Sequence, residues 1–277
     1  MNTYQCHRGV LKCGKHLLKS SARIVNGEES VPHSHPWMVA VGRCTYCGGT
    51  LITDRHVLTA AHCLPIVGSV VLGEHYCGKY DLGQIALNVK TAHPHPLAWL
   101  PEDNGLSAYD IAILTLDKPV RFSTTILPAC LPNQPSKAYV NSNVTTVGWG
   151  DTWGTGNPFR LREVDLTLIP MRECQNAPWL IEGEQKINIR KDVHITNETH
   201  ALCAGRYKET NGFFNYTGVQ RGDSGGPLIL KDPKTGLNTV IGVTALAPWK
   251  AVYDNGPYFV YADVKQVLPW ILTIINA

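Results

Sequence analysis

The chain has 277 residues, of which 44% are hydrophobic and 17% charged, so it is long and apolar enough for a sizeable core and is not a disordered polyelectrolyte. Its nine cysteines argue against a reducing compartment, and because nine is odd, at least one thiol has no partner within the chain. Five of the 25 basic side chains lie in residues 1–23, which hold no acid, and the other 20 are outnumbered by 22 acids, so nucleic-acid binding through a basic folded face is not expected.

The predicted elements, taken in chain order, are mainly short β-strands. Runs of β-branched and apolar residues between turns predict strands at Pro36–Val41, Thr50–Thr53, Val57–Ala60, Gly68–Leu72, Ile85–Thr91, Ile111–Leu116, Val144–Trp149, Leu228–Leu230, Val240–Thr244 and Tyr258–Val264. Many short strands with frequent turns predict an all-β barrel or sandwich. Apolar residues at helical spacing predict a terminal helix over Val264–Asn276, with an irregularity at Pro269. The proline-rich residues 94–101 are predicted to form an exposed loop.

The sequence favours a secreted, extracellular protein. No stretch approaches the roughly 18 consecutive apolar residues of a membrane span, so none is expected. Residues 1–23 lack the apolar segment and cleavage site of a signal peptide, which is therefore not expected within this chain. Glycosylation sequons at Asn197 and Asn215 lie in polar, loop-like stretches, and a third at Asn143 borders a predicted strand.

Three short segments carry residues suited to acyl transfer. TAAHC contains His62, YDIAILTLD contains Asp110, and GDSGGP contains Ser224. Acyl transfer needs a nucleophile, a base that removes its proton, and an anion that orients the base. It also needs preorganised N–H donors for the developing oxyanion, and the glycines beside Ser224 keep the backbone there accessible.

These segments, together with RIVNG, PWMVAV, CGGTLI, LPACLP, VGWG and LCAG, resemble the trypsin/chymotrypsin family of serine proteases from about Ile24 to the C-terminus. The resemblance implies an all-β fold of two packed six-stranded antiparallel β-barrels with a C-terminal helix. Residues 1–23 are then a propeptide arm and residues 24–277 the protease domain, with barrels at approximately 24–131 and 132–277.

The resemblance also implies catalytic roles. Ser224 is the expected nucleophile and His62 the general base and then acid, while Asp110 orients the imidazole and stabilises imidazolium. The N–H groups of Gly222 and Ser224 are the expected oxyanion hole. Peptide or protein substrates and a protein inhibitor are the expected partners, and no cofactor or metal is expected.

RIVNG implies activation by cleavage between Arg23 and Ile24, by a separate activating protease. The freed Ile24 amino group is then expected to pair with Asp223. A buried carboxylate is unfavourable until it gains a cationic partner, so this pairing is expected to order the loop that contains Gly222.

The cysteines follow the same resemblance in part. It implies the pairs Cys47–Cys63, Cys174–Cys203 and Cys13–Cys130, the last of which keeps the arm attached after cleavage. Cys44 and Cys77 remain as a plausible fourth pair, and Cys6 is then the odd thiol. An alternative, in which Cys44-x-x-Cys47 forms a zinc or redox motif, lacks a second CxxC, a suitably spaced histidine pair and a thioredoxin-like pattern. His33, His35, His93 and His95 are interpreted as loop histidines rather than metal ligands.

The sequence departs from the family around the specificity pocket. Gln220 replaces a usual cysteine, and Gly218 replaces the acidic residue that selects Arg or Lys substrates. Ala245, Leu246 and Ala247 replace a Ser-Trp-Gly segment, which removes one hydrogen bond to Asp110 and slightly narrows the pocket. Phe259 stands near a usual glycine, where its ring would fill the pocket.

P1 is the substrate residue whose carbonyl is attacked. These departures predict either an uncharged P1 residue, with a small one among the candidates, or a very restricted range of substrates, rather than Arg or Lys at P1. They also leave open a second hypothesis, in which the chain is a weak or inactive protease homologue that acts as a binding or regulatory module. A metal or redox protein is a third hypothesis.

Overall fold

Short antiparallel strands in the first half of the chain close into a barrel. The computed structural model describes residues 13–15, 28–98, 109–151, 159–172, 201–205, 209–210, 213–214, 218–246 and 258–277. The barrel strands are β2 (Met38–Val41), β3 (Cys47–Leu51), β4 (His56–Thr59), β5 (Ser69–Leu72), β6 (Ile85–Pro94) and β7 (Ala112–Leu116), in the order β2-β3-β4-β7-β6-β5. Fully buried leucine and isoleucine side chains fill this barrel, among them Leu51, Leu58, Leu72 and Ile113. Their apolar surface supplies the main driving force for closing it.

A second set of strands closes in the same way. These strands are β8 (Asn143–Gly148), β9 (Arg162–Ile169), β10 (Ala201–Gly205), β13 (Pro227–Lys231), β14 (Asn238–Leu246) and β15 (Tyr258–Asp263). They run in the order β9-β10-β15-β14-β13-β8, and β8 also pairs with β9, which completes the ring. The predicted all-β fold of two six-stranded antiparallel barrels is confirmed.

Smaller elements complete the described fold. Strand β1 (Glu28–Glu29) adds to the edge of β9, so the start of the expected protease domain pairs with the second barrel. Strands β11 (Glu209–Thr210) and β12 (Phe213–Phe214) form a separate two-stranded sheet. Within the described residues, no helix is long and apolar enough to cross a membrane.

The terminal helix is shorter than predicted. Helix α1 spans Leu268–Ile275 rather than beginning at Val264, because Pro269 has no N–H and is tolerated only in the first turn. The residues before it form turns. Ile271 is fully buried against the first barrel, and the ring of Trp270 lies 4.9 Å from the ring of His95. The end of the chain therefore crosses back and ties the second half to the first.

Candidate active site

The strand pairing of the first barrel brings His62 and Asp110 together. His62 lies in a 3₁₀ helix, Ala61–Ile66, that follows β4, and Asp110 immediately precedes the segment that enters β7. Because β4 pairs with β7 through Thr59 and Ala112, the two residues leave the same end of the ladder.

The contact between His62 and Asp110 is doubly hydrogen-bonded. The Nδ1 of His62 lies 2.5 Å from one carboxylate oxygen of Asp110, and the backbone N–H of His62 donates to the other oxygen at 2.9 Å. The Asp110 side chain is 3% exposed, whereas the imidazole is 33% exposed. A buried carboxylate thus fixes the ring through Nδ1 and leaves Nε2 available on the accessible side.

Backbone bonds place the segment containing Ser224 against the same end of the first barrel. The N–H of Gly48 donates to the carbonyl of Ser224 at 2.7 Å. A Cβ on the following residue, Gly225, would lie 3.0 Å from the backbone nitrogen of Ala60 and would overlap Thr59 Oγ1. The segment that carries the predicted nucleophile therefore packs beside the end of β4, where the chain leads into the 3₁₀ helix that carries His62.

The predicted donors of the oxyanion hole are the backbone N–H groups of Gly222 and Ser224. Among the described residues, no backbone carbonyl accepts a hydrogen bond from the N–H of Gly222 or Ser224. Gly222 has a φ of 101°, and a Cβ there would come within 2.7 Å of the Thr45 carbonyl oxygen. Only glycine accommodates both that conformation and that approach. Thr45 and Gly48, whose backbone atoms approach Gly222 and Ser224, were not among the residues predicted for the site.

Asp223 stands between Gly222 and Ser224 in the chain, and its side chain faces Gly150, which follows the end of β8. Its carboxylate accepts the N–H of Gly150 at 2.7 Å and the N–H of Gln220 at 2.7 Å. Burial raises the pKa of Asp223 to about 6, against the opposing effect of these two hydrogen bonds. Among the described residues, the Asp223 carboxylate is thus held by hydrogen bonds and not by an ion pair. The predicted cleavage site between Arg23 and Ile24 lies outside the described residues. So does the Ile24 amino group, the predicted partner of Asp223.

The predicted pocket residues meet directly at one point. Phe259 is buried, and a Cβ on Gly218 would overlap the edge of its phenyl ring. Ala245 is buried at the end of β14, and within the described part of the chain both hydrogen bonds to Asp110 come from His62. Ala247 and the side chain of Leu246 lie outside the described residues.

Disulfides join Cys13 to Cys130, Cys44 to Cys77 and Cys47 to Cys63. Cys203 is also disulfide-bonded, while Cys174 and Cys6 lie outside the described residues. The sulfurs of Cys47 and Cys63 and a ring nitrogen of His62 lie within 4.8 Å of one another. Because those sulfurs are bonded to each other, they offer no thiolate pair to a metal, and Cys44 and Cys47 are bonded to different partners.

The predicted glycosylation sites are described only in part. Asn143 is exposed at the first residue of β8, which is the strand that it was expected to border. Asn197 and Asn215 lie outside the described residues. Two of the predicted loop histidines lie before β2, where His35 bonds to Glu163 and the ring of His33 lies 6.4 Å from that of His75. The prediction was wrong for His93, which lies in β6 and pairs with Ile113 of β7.

Comparison with known proteins identifies relatives over nearly the whole chain. The family model described as Trypsin matches residues 24–271. Serine protease filzig of Drosophila melanogaster is 33% identical over 289 residues, an alignment that covers 97% of this chain and 15% of filzig. The chain thus spans a small part of the length of that curated relative.

Proposed function

Because the chain belongs to the trypsin family of serine proteases, we propose that it is a serine endopeptidase that hydrolyses peptide bonds through Ser224, His62 and Asp110. The observation that carries the proposal is the hydrogen-bonded pair of His62 and Asp110 at the end of the strand ladder against which the Ser224 segment packs. Nucleophile, base and orienting anion are the three groups that acyl transfer requires.

In the proposed reaction, Ser224 Oγ attacks the substrate carbonyl while His62 Nε2 takes its proton. Asp110 keeps the Nδ1 proton of the imidazole in place and stabilises the imidazolium that forms. His62 then donates the proton to the leaving amine, and water hydrolyses the acyl-enzyme by the same steps in reverse. The N–H groups of Gly222 and Ser224 bind the oxyanion, a contribution of roughly 10²–10³ in turnover per donor in comparable enzymes.

Cleavage between Arg23 and Ile24 is the proposed activating step. Residues 1–23 are then the activation arm and residues 24–277 the protease domain. The raised pKa of Asp223 supports this proposal, because a buried carboxylate without an ion pair among the described residues is suited to receive the freed amino group of Ile24. The pairing would hold the adjoining Gly222 and Ser224 N–H groups in their working orientation.

The proposed setting is extracellular. Three disulfides among the described residues favour an oxidising compartment. The expected partners are a protein or peptide substrate, a protease that cuts after Arg23, and a protein inhibitor. Gly218 places no carboxylate in the pocket, so a substrate with Arg or Lys at P1 is not expected.

One observation favours a second candidate function, that of a weak or inactive homologue that acts as a binding or regulatory module. The ring of Phe259 occupies the space against Gly218, and Ala245 supplies no hydroxyl to Asp110. Both features reduce substrate binding or orientation without removing the triad.

A fluorophosphonate probe distinguishes the two functions, because it reacts only with an activated serine. The chain is cut after Arg23, and the new N-terminus at Ile24 is verified by mass spectrometry. Labelling is expected in the cut chain, with little in the uncut chain. Ser224→Ala should abolish it, and His62→Ala should slow it by at least about 10³-fold.

The matched control is Ser123→Ala, which removes an exposed serine and should leave labelling unchanged. Absence of labelling after verified cleavage would reject the enzyme and favour the binding module.

A further inference from the structure

Asp110 stands at the apex of a three-residue turn. The N–H of Ile111 donates to the carbonyl of Tyr109 at 2.7 Å, which closes the turn over Asp110. Both hydrogen bonds that the Asp110 side chain accepts from described residues come from His62. The direction of the carboxylate toward the imidazole therefore depends on what holds the two residues on either side of Asp110.

One residue, His95, contacts both sides of this turn. Its backbone N–H donates to the carbonyl of Ile111 at 3.0 Å. Its imidazole stacks on the ring of Tyr109, with ring centroids 4.7 Å apart and planes inclined by 5°. A parallel stack at this distance is a favourable arrangement of two aromatic rings. His95 thus holds the residue before Asp110 through its ring and the residue after Asp110 through its main chain.

The ring of His95 is itself fixed from two further directions. The ring of Trp270 in α1 meets it edge-on at 4.9 Å, and the N–H of Leu97 donates to its Nδ1 at 3.2 Å. A nitrogen that accepts a hydrogen bond carries no proton, so this bond selects the neutral imidazole with its proton on Nε2. Burial lowers the pKa of His95, which favours the same neutral form. The stack therefore joins the Asp110 turn to the C-terminal helix.

We propose that His95 is a positioning residue for the triad, which holds both neighbours of Asp110 and so keeps the carboxylate directed at His62. The inference rests on the proposed function, since the direction of the carboxylate matters only if His62 acts as a base. Ala245 supplies no hydroxyl to Asp110, which leaves the turn to orient the carboxylate. Misplacement of a catalytic group by about 1 Å can cost on the order of 100-fold in rate.

Three substitutions at His95 separate its two side-chain contacts. His95→Phe keeps a flat ring for Tyr109 and Trp270 but cannot accept the Leu97 N–H. His95→Asn keeps an acceptor but has no aromatic ring, and His95→Ala removes both. Because the ring holds the turn, the phenylalanine variant should resemble the parent, and the other two variants should both be impaired.

The test measures the hydrolysis of one peptide by cut chains whose new N-terminus has been verified. The peptide is the one that the parent cleaves fastest in a library. His95→Ala and His95→Asn should lower kcat by about 10- to 100-fold, with little change in KM, because the change acts on the triad rather than on substrate binding. The acid limb of the pH profile of kcat/KM should move to lower pH in both variants, since a loosely held Asp110 stabilises the imidazolium of His62 less. His95→Phe should retain the parent kcat and acid limb, although its side chain cannot titrate.

His93→Ala is the matched control. His93 is also half-buried and lies two residues earlier, but its ring bonds to Thr91 at 3.0 Å and its backbone pairs with Ile113, beyond the turn. This variant should keep the parent kcat and pH profile. If His95→Ala does not fold, Tyr109→Leu takes its place, because it removes the same stack from the other side and should give the same loss and the same shift.

Fluorophosphonate labelling is measured on every chain. An unlabelled parent overturns the proposed function and this role with it. With a labelled parent, an unchanged kcat in His95→Asn and His95→Ala, or an equal loss in His95→Phe, overturns the role of His95 alone. A folded His95→Asn or Tyr109→Leu variant that loses kcat without a shift of the acid limb would assign the stack to stability and contradict the proposal.

Discussion

Individual glycines determine how closely the two barrels approach at the candidate site. Gly225 has a φ of 78° and lies where a side chain would overlap the Gly48 carbonyl oxygen and Thr59 Oγ1. Gly236 has a similar φ of 68°, but a Cβ there would meet nothing within 4 Å. A comparison of Gly225 with Gly236 therefore separates the need for a positive φ from the need for space beside the backbone.

Gly225→Ala should destabilise the chain more than Gly236→Ala does. The left-handed conformation costs both variants about 1–2 kcal/mol, and Gly225→Ala must also push the Ser224 segment away from β3 and β4. The free energy of unfolding from denaturant titration measures the first effect, and fluorophosphonate labelling of the cut chain measures the second. Equal destabilisation, with labelling retained in both variants, would contradict the described contact.

Asp223 gives the uncut chain a distinct pH dependence. Its pKa is about 6 in the folded chain, against an ordinary 3.8, so the folded state binds the proton more tightly than the unfolded state. The resulting stabilisation is complete below about pH 4 and is lost as the pH rises through about 6. The full effect is about 3 kcal/mol.

Asp223→Asn should therefore remove about 3 kcal/mol from the change in the free energy of unfolding between pH 4 and pH 7, and should leave the change contributed by Glu74 and Asp263, whose pKa values burial also raises. Asp232→Asn is the control, because backbone hydrogen bonds from Thr235 and Lys234 lower the pKa of Asp232 and give its contribution the opposite sign. Cleavage that frees Ile24 should stabilise the ionised Asp223 and reduce the loss at pH 7. An uncut chain whose pH profile does not change with Asp223→Asn would exclude this account.

At the scale of elements, most predicted strands lie close to their observed bounds, but the strand predicted at Thr50–Thr53 overlaps β3 only at Thr50 and Leu51, and β9 and β10 were missed. Residues 111–116 are apolar apart from Thr115 and form β7 with nearly the predicted bounds. Strand β9 alternates Val164, Leu166 and Leu168 with polar residues, a period-2 pattern that favours a strand and was overlooked, whereas β10 is short and rich in alanine and glycine and has a weak strand signal. Their pairing with β8 and β15 supplies the backbone partners that the local sequence does not indicate.

The ends of elements also depend on context beyond the local pattern. The apolar spacing before α1 continues through the turn that precedes it, but Pro269 confines the helix to residues after Val267. Strand β6 continues to Pro94, beyond the predicted end at Thr91, because its last residues pair with β7. The predicted exposed loop therefore begins later than the proline-rich sequence indicates.

At the scale of the whole molecule, residues 13–15, the described part of the leading arm, are anchored both to the segment before the second barrel and to β14 of that barrel. Cys13 is disulfide-bonded to Cys130, and Gly14 donates to the Pro128 carbonyl at 2.8 Å. The Gly14 carbonyl accepts both the backbone N–H and the side-chain amide of Asn238, each at 2.9 Å. A covalent bond and a set of hydrogen bonds thus hold the same short segment.

The anchor predicts that the arm stays with the protease domain after cleavage following Arg23. A non-reducing gel should show one species at the mass of the intact chain, and reduction should release the arm. Cys13→Ser should release most of the arm without reductant, because three hydrogen bonds contribute only about 0.5–1.5 kcal/mol each. Release of the arm from the unmutated chain in the absence of reductant would refute the anchor.

The sequence by itself predicted the all-β fold, because short apolar runs favour strands, and it named His62, Asp110 and Ser224 as the candidate site residues, because they lie in distinctive local segments. The tertiary structure decided which groups meet. The contact of Phe259 with Gly218 joins residues 41 positions apart across two segments, and no local pattern reports whether the ring points into that space. The uneven charge and the nine cysteines noted at the outset indicated a separate arm, but only the folded chain showed where Cys13 and Gly14 hold it.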